Sequence, residues 1–246
     1  MSKAALTRVP VCQKPVGNHR GVQQALQSSV KIARIPEVQQ TSHLKKEAPF
    51  TFKMDDVYAK FLPVIRHYES TPNVELEFRL GKMNRGRFDT NVGRDTYDKV
   101  LRALNKYEGW ESKTESEDVV YYGQNGRRAV CNTKTDEVKR VVKHKLAVVD
   151  HELENQTFDV RLGVATETAY EPTEDEEIFD ETKNRTRHSF VRKNLVIDVS
   201  KVKGNPDDPD MDEDTVYQIE LEILKVGEDW EMFNMFHKIF DVLKIT

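Results

Sequence analysis

Val74-Glu75-Leu76-Glu77-Phe78-Arg79-Leu80 alternates apolar and charged residues, and Tyr217-Gln218-Ile219-Glu220-Leu221-Glu222-Ile223 repeats the pattern far along the chain. A period of two is that of a β-strand with two unlike faces. In the first segment Val74, Leu76, Phe78 and Leu80 form the apolar face, which leaves Glu75, Glu77 and Arg79 together on the other. In the second, Ile219, Leu221 and Ile223 oppose Gln218, Glu220 and Glu222. Glutamate is depleted in strands, and like charges two residues apart on one face repel. A solvated edge strand would explain one such segment. Two of them, at either end of the β region, point instead to something that offsets the repulsion. A hard divalent cation does so, because it prefers carboxylate oxygens and keeps waters beside phosphate ligands.

The chain of 246 residues is long enough for one domain of moderate size with an extension. It is 33% charged and 37% hydrophobic, with a mean hydropathy of -0.69, which suits a fold with a partly hydrophilic interior. The net charge of -4 hides an asymmetry, since residues 1–50 carry eight Lys/Arg and two Asp/Glu. Much of the acid elsewhere sits in Glu171 to Glu181 and Asp207 to Asp214, read as solvated loops. Cys12 and Cys131 supply neither a disulfide framework nor a metal-ligand spacing, and no signal-peptide core or membrane-length apolar run occurs. A soluble, intracellular protein follows as the expectation.

Residues 1–50 hold Pro10, Pro15 and Pro36 and no aromatic before Phe50. They read as a basic, largely disordered extension with room for a short helix at 21–35, ahead of a folded domain over 51–246. Met54 to Glu69 has a helical stripe of Val57, Phe61, Val64, Ile65 and Tyr68, with Pro63 as a candidate kink. Gly81 to Val92 reads as a basic loop, and Arg94 to Tyr107 as a second helix. Strands are expected over 110–116, 118–123, 127–133, 138–149, 157–167, 184–192, 195–202 and 215–224. Short links between them imply antiparallel pairing. Asp229 to Leu243 closes with an apolar helical stripe suited to packing.

Several of these strands carry long cations. Lys143 and Lys145 share one face, as do Arg185 and Arg187. Arg127 and Arg128 begin another strand, Arg161 shares parity with Glu167, and Asp198 stands between Ile197 and Val199. One sheet face is thus lined with both carboxylates and cations. Such a sheet is either open with a wet face or closed into a barrel with a polar lumen, which concentrates the field of its charges. Acids that hold a metal beside cations that neutralise oxyanions are the parts of phosphate chemistry. No P-loop, GxSxG elbow or cysteine nucleophile motif is present.

These residues resemble the triphosphate tunnel metalloenzymes, and within them the metal-dependent mRNA-capping RNA 5′-triphosphatases of fungi, protozoa and large DNA viruses. The resemblance runs from about Asn73 to Leu224 and rests on the paired Glu-x-Glu strands, the Arg185-Thr186-Arg187 strand and Ile197-Asp198 before the last pair. The Arg87-Phe88-x-x-x-Val92 lead-in to the second helix favours the RNA triphosphatase branch. The resemblance implies an α+β, mainly antiparallel β fold: an eight-stranded closed β-barrel with flanking helices. It implies Glu75, Glu77, Glu220 and Glu222 as ligands of Mg²⁺ or Mn²⁺. Arg79, Lys143, Arg185 and Arg187 correspond to triphosphate-binding cations, with Arg127 as another, although the strand phase leaves Arg128 open as the inward one. Glu167 and Asp198 correspond to acids that support the water nucleophile and the cationic lining. Gln218 departs from the pattern, since related enzymes carry a third acid there.

The implied activity is removal of the γ-phosphate from 5′-triphosphate RNA, the first step of mRNA capping. The substrate RNA and a guanylyltransferase are the implied partners, with a homodimer left open and no membrane involved. A free-standing enzyme or an excised domain is implied, acting in the cytoplasm, nucleus, virion or viral factory. The alternatives are a tunnel-fold nucleoside triphosphatase or polyphosphatase and a non-catalytic RNA- or phosphate-binding module. Four acids facing a polyanion weigh against mere binding.

Overall fold

The computed structural model describes residues 54–172, 178–204, 215–225 and 229–246. The extension over 1–50, its candidate helix, residues 173–177 of the first acidic run and all of the second lie outside the described residues, while Phe179 to Glu181 of the first run, expected as loop, begin a strand paired to its neighbour. Along the chain come α1 (Met54–Tyr68), β1 (Val74–Asn84), β2 (Arg87–Asp89), α2 (Arg94–Lys106), β3 (Ser112–Gly123) and β4 (Arg127–Asn132). They are followed by β5 (Val138–His151), β6 (Asp159–Ala169), β7 (Phe179–Arg192), β8 (Leu195–Lys203), β9 (Val216–Ile223) and α3 (Asp229–Ile245).

Hydrogen-bonded neighbours run β2-β1-β6-β5-β4-β3-β7-β8-β9, and β1 also pairs with β9. That last pairing closes an eight-stranded antiparallel barrel, with β2 appended to β1. The expected strands 110–116 and 118–123 are one strand, β3, because its pairing to β7 continues from Ser112 to Gly123 without a break at Glu117. The expected loop after Gly81 is instead a hairpin. β1 runs on to Asn84 and turns through Arg85 (φ 49°) and Gly86 (φ 78°), the two left-handed positions of a tight two-residue turn. Gln124-Asn125-Gly126 links β3 to β4 as a short 3-10 turn with Asn125 and Gly126 at positive φ.

α1 continues through Pro63 without a break. The proline removes one helical hydrogen bond, yet its ring is exposed while Phe61 and Ile65 on the opposite side are buried. Phe61 from α1, Phe78 from β1 and Phe236 from α3 meet with ring centroids 5.5–5.8 Å apart. Each of these rings is essentially inaccessible, and burying one contributes about 1.5–3 kcal/mol. Ile239, Phe240 and Leu243 continue the same face of α3. α2 packs through Tyr97, Val100 and Leu104, and Tyr97 stacks against Tyr217 of β9 at 5.2 Å. A smaller cluster of Tyr121, Ala129, Cys131 and Phe179 backs β3, β4 and β7. The apolar core therefore lies outside the barrel, and the alternating polar faces are turned into its lumen. No helix among the described residues is long and apolar enough to cross a membrane.

Candidate active site in the barrel lumen

Residues directly opposite in an antiparallel register share a face, so the lumen lining can be traced strand by strand. Glu77 faces Glu222 of β9 and Gly163 of β6, while Arg79 faces Glu220 and Arg161. Asp198 of β8 faces Glu220 and, across to β7, Ser189. Ser200 faces Arg187, and beyond β7 Arg187 and Arg185 face Ser116 and Asp118 of β3. Asp118 faces Asn132 of β4, and Tyr122 faces Arg128. Arg128 faces Val141 of β5, two residues from Lys143, which faces Glu167 of β6. The alternation holds around the whole ring.

Glu75, Glu77, Arg79, Lys143, Glu167, Arg185, Arg187, Asp198, Glu220 and Glu222 are thereby brought to one lumen. Arg127 is not. Its partner is Val142, so it lies on the face opposite Lys143 and sets its guanidinium over Tyr170 at 5.8 Å. Arg128 holds the inward position, and the ambiguity of the Arg127-Arg128 pair is resolved by the register. Lys145 shares the inward parity but is exposed, just before an irregularity in the β5–β6 register.

Asp118 was missed. It is a buried carboxylate that accepts from Arg185 Nη2 (2.9 Å), Arg185 Nε (3.3 Å), Ser116 Oγ (2.9 Å) and Asn132 Nδ2 (3.4 Å). It therefore fixes the fork of one lumen arginine. The signal was the alternation Ser116, Asp118, Val120, Tyr122, which splitting the strand at Glu117 concealed.

Lys143 Nζ donates to Glu75 Oε1 at 2.6 Å and lies 3.4 Å from Glu77 Oε2. Arg79 Nε bonds Glu77 and stands 3.1 Å from Glu220 Oε1. Arg187 bridges Asp198 (2.7 Å) and Glu220 (3.4 Å). Glu167 pairs with Lys139 at 3.2 Å. Burial pushes every one of the four glutamates towards its neutral form, but only at Glu77 do neighbouring cations override it. Burial raises Glu77, yet Arg79 and Lys143 override that and hold it well below the usual carboxylate range. Burial raises Glu75 despite Lys143. Burial and the Glu77 charge raise Glu220, while burial together with Glu75 and Asp198 pushes Glu222 up to about 7.

Among the described residues no three His, Cys, Asp or Glu side chains stand close enough, as they are, to hold a metal ion. Arg79 and Lys143 draw the β1 acids to themselves instead. The donor set nonetheless fits a divalent cation. Glu75 Oε2 and Asp198 Oδ1 are buried with no hydrogen-bond partner, and the β9 acids are raised by charges that a cation would offset. All the oxygens are carboxylate oxygens, which suits a hard ion.

A closed antiparallel barrel whose lumen mixes acids with arginines and lysines defines a triphosphate-tunnel hydrolase. The chain belongs to the family described as mRNA capping enzyme, beta chain, whose model matches residues 83–240. The matched span begins beyond Glu75, Glu77 and Arg79, so the register alone places those three. The RNA triphosphatase Pct1 of S. pombe has the same fold at 18% identity with a TM-score of 0.58, over 82% of this chain and 90% of that one. Pct1 in complex with the Spt5 CTD matches with a TM-score of 0.58 and 18% identity, over 79% and 87%. The triphosphatase domain of a trifunctional mimivirus mRNA capping enzyme matches with a TM-score of 0.55 and 16% identity, over 78% and 96%. No curated protein sequence matches the chain.

Proposed function

We propose that the lumen hydrolyses the bond between the β- and γ-phosphates of 5′-triphosphate RNA, giving a 5′-diphosphate end and inorganic phosphate. The observation that carries this is the strand register that turns both Glu-x-Glu strands and the cations Arg79, Lys143, Arg185 and Arg187 into one closed cavity. Glu75, Glu77, Glu220 and Glu222 would hold Mg²⁺ or Mn²⁺, which when bound supplies Lewis-acid polarisation of the γ-phosphoryl group.

The remaining chemistry belongs to the chain. Arg185, fixed by Asp118, and Arg187, fixed by Asp198, present cations already oriented for phosphate oxygens. With the β1 acids holding a cation, Arg79 and Lys143 would be free to meet the triphosphate oxygens. Glu167 and Asp198 are the acids placed to orient the attacking water and take up its proton. The water oxygen bonds to the γ-phosphorus, the bond to the bridging oxygen breaks, and its electrons stay on the diphosphate end. That end is the acceptor a guanylyltransferase uses next. The complex of Pct1 with the Spt5 CTD supports a setting in which this chain works beside transcription.

The test is release of labelled phosphate from γ-labelled triphosphate RNA, with ATP and tripolyphosphate as comparators. Turnover should require Mg²⁺ or Mn²⁺ and vanish in Glu220→Ala. Metal-independent release, or release undiminished in the variant, refutes the reading.

A further inference from the structure

The two ends of the lumen are built differently. At the end reached along β1 past Arg79, Gly81 takes the next inward position. A Cβ there would meet ring carbons of Phe88 at 2.4 and 2.8 Å and the carbonyl oxygen of Asp89 at 2.3 Å. The Phe88 ring thus fills the space an inward side chain would take. Arg161, inward on the neighbouring β6, sets its guanidinium 4.5 Å from the centre of that ring and is held there by two hydrogen bonds to Asp150, at 2.6 and 2.9 Å.

The segment after Phe88 continues across to the other wall. Thr90 Oγ1 accepts from Gln218 Nε2 at 3.0 Å, Asn91 Oδ1 accepts from the Tyr217 amide at 3.1 Å, and the Val92 amide donates to the Tyr217 carbonyl at 2.9 Å. Residues 88–92 are therefore a strap pinned between β1 and β9, with Arg161 of β6 against the Phe88 ring. Gly81 lies four residues along β1 from Glu77, roughly 13 Å at the rise of a strand. The opposite end, before Glu75 on β1, holds Glu167, whose amide donates to the Asn73 carbonyl at 3.1 Å, with Lys139 over its carboxylate and Lys143 facing it from β5. These are side chains suited to a polyanion passing between them.

We infer that Phe88 stoppers the tunnel, so that substrate and both products share the Glu167 end. This rests on the hydrolysis proposed above. An eight-stranded barrel has an interior about wide enough for side chains or one small ligand, so the γ-phosphate leads the RNA in and lies deepest. After cleavage the diphosphate RNA stands between the freed phosphate and its way out. Diphosphate RNA leaves first and inorganic phosphate last, which makes phosphate the product that binds free enzyme.

Product inhibition of the whole protein reads this order. With wild type, inorganic phosphate should be competitive against triphosphate RNA, and diphosphate RNA noncompetitive. Phe88→Ala opens the far end, lets phosphate leave independently and should make diphosphate RNA competitive. Phe88→Leu retains a stopper and should keep the wild-type pattern, which separates the effect from misfolding, with melting curves as a control. Wild type showing diphosphate RNA as the competitive product, or a pattern unchanged in a folded Phe88→Ala protein, overturns the inference. If wild type turns over tripolyphosphate but not RNA, the substrate reading has failed, and the same order is read from pyrophosphate and phosphate.

Discussion

The two Glu-x-Glu strands are near copies in sequence and adjacent in space, yet they hold their charge differently. On β1, Glu77 lies between Arg79 and Lys143 and is kept ionised. On β9, Glu220 and Glu222 have burial and other carboxylates as their main influences, and both are raised. Arg79 and Arg187 also reach Glu220, yet burial and the Glu77 charge outweigh them there, whereas Arg79 and Lys143 prevail at Glu77. Glu77 is neutralised from within the protein. Glu220 and Glu222 await a proton or a metal.

Substitution breaks the comparison most severely. Glu77→Gln removes the anchor of Arg79 and Lys143 together with a proposed ligand, and Glu222→Gln removes a proposed ligand alone. Both should lower kcat at least about a hundredfold, measured as phosphate release. Raising metal concentration should recover part of the loss in Glu222→Gln and less in Glu77→Gln. Equal recovery would mean that the two strands are equivalent after all.

A pH series sharpens the difference without altering activity. Glu222 ordinarily titrates near 4.5 and is raised to about 7 in the fold. The stability gained from its protonated form is full below the lower value and lost as pH rises through the higher. Without metal, Tm should fall between about pH 5 and pH 8, and the fall should shrink in Glu222→Gln. Glu77 is depressed, so its contribution is present above 4.5, is lost only on further acidification and stays silent in that window. Mg²⁺ or Mn²⁺ should raise Tm more at the upper pH than at the lower, because protons then compete less. A metal shift independent of pH would contradict this account.

The smallest effect separates two adjacent residues. Arg128→Ala, at an inward position, should raise KM for triphosphate RNA about tenfold, whereas Arg127→Ala should stay within about twofold. Reversal of that order would mean that the β4 register is misplaced.

Most of the barrel was legible because its strands alternate cleanly. Ile197-Asp198-Val199 and Val74 to Leu80 announce both strand and face, and the acids and paired cations of the lumen follow from parity. What escaped were the places where parity has no anchor. Arg127 and Arg128 are neighbours of the same type, so only pairing with β5 could assign their faces. Asp118 sits in a run of polar residues, Lys113 to Asp118, that offers no apolar face to set a phase. The strap was unreadable for another reason. Phe88 reads as an ordinary loop aromatic until the missing side chain of Gly81 shows where its ring goes.

The barrel is closed by a seam that joins Leu76–Arg79 to Glu220–Ile223, two segments that lie far apart along the chain. Hydrogen bonding between them brings Glu77 beside Glu222 and Arg79 beside Glu220. Such a distant pairing is formed late and at high entropic cost during folding. The catalytic constellation therefore cannot be assembled in stages on a partly built sheet. Until the seam zips, a nascent chain carries two separate acidic strands and no competence to cleave anything, and from then on structure and activity arrive together.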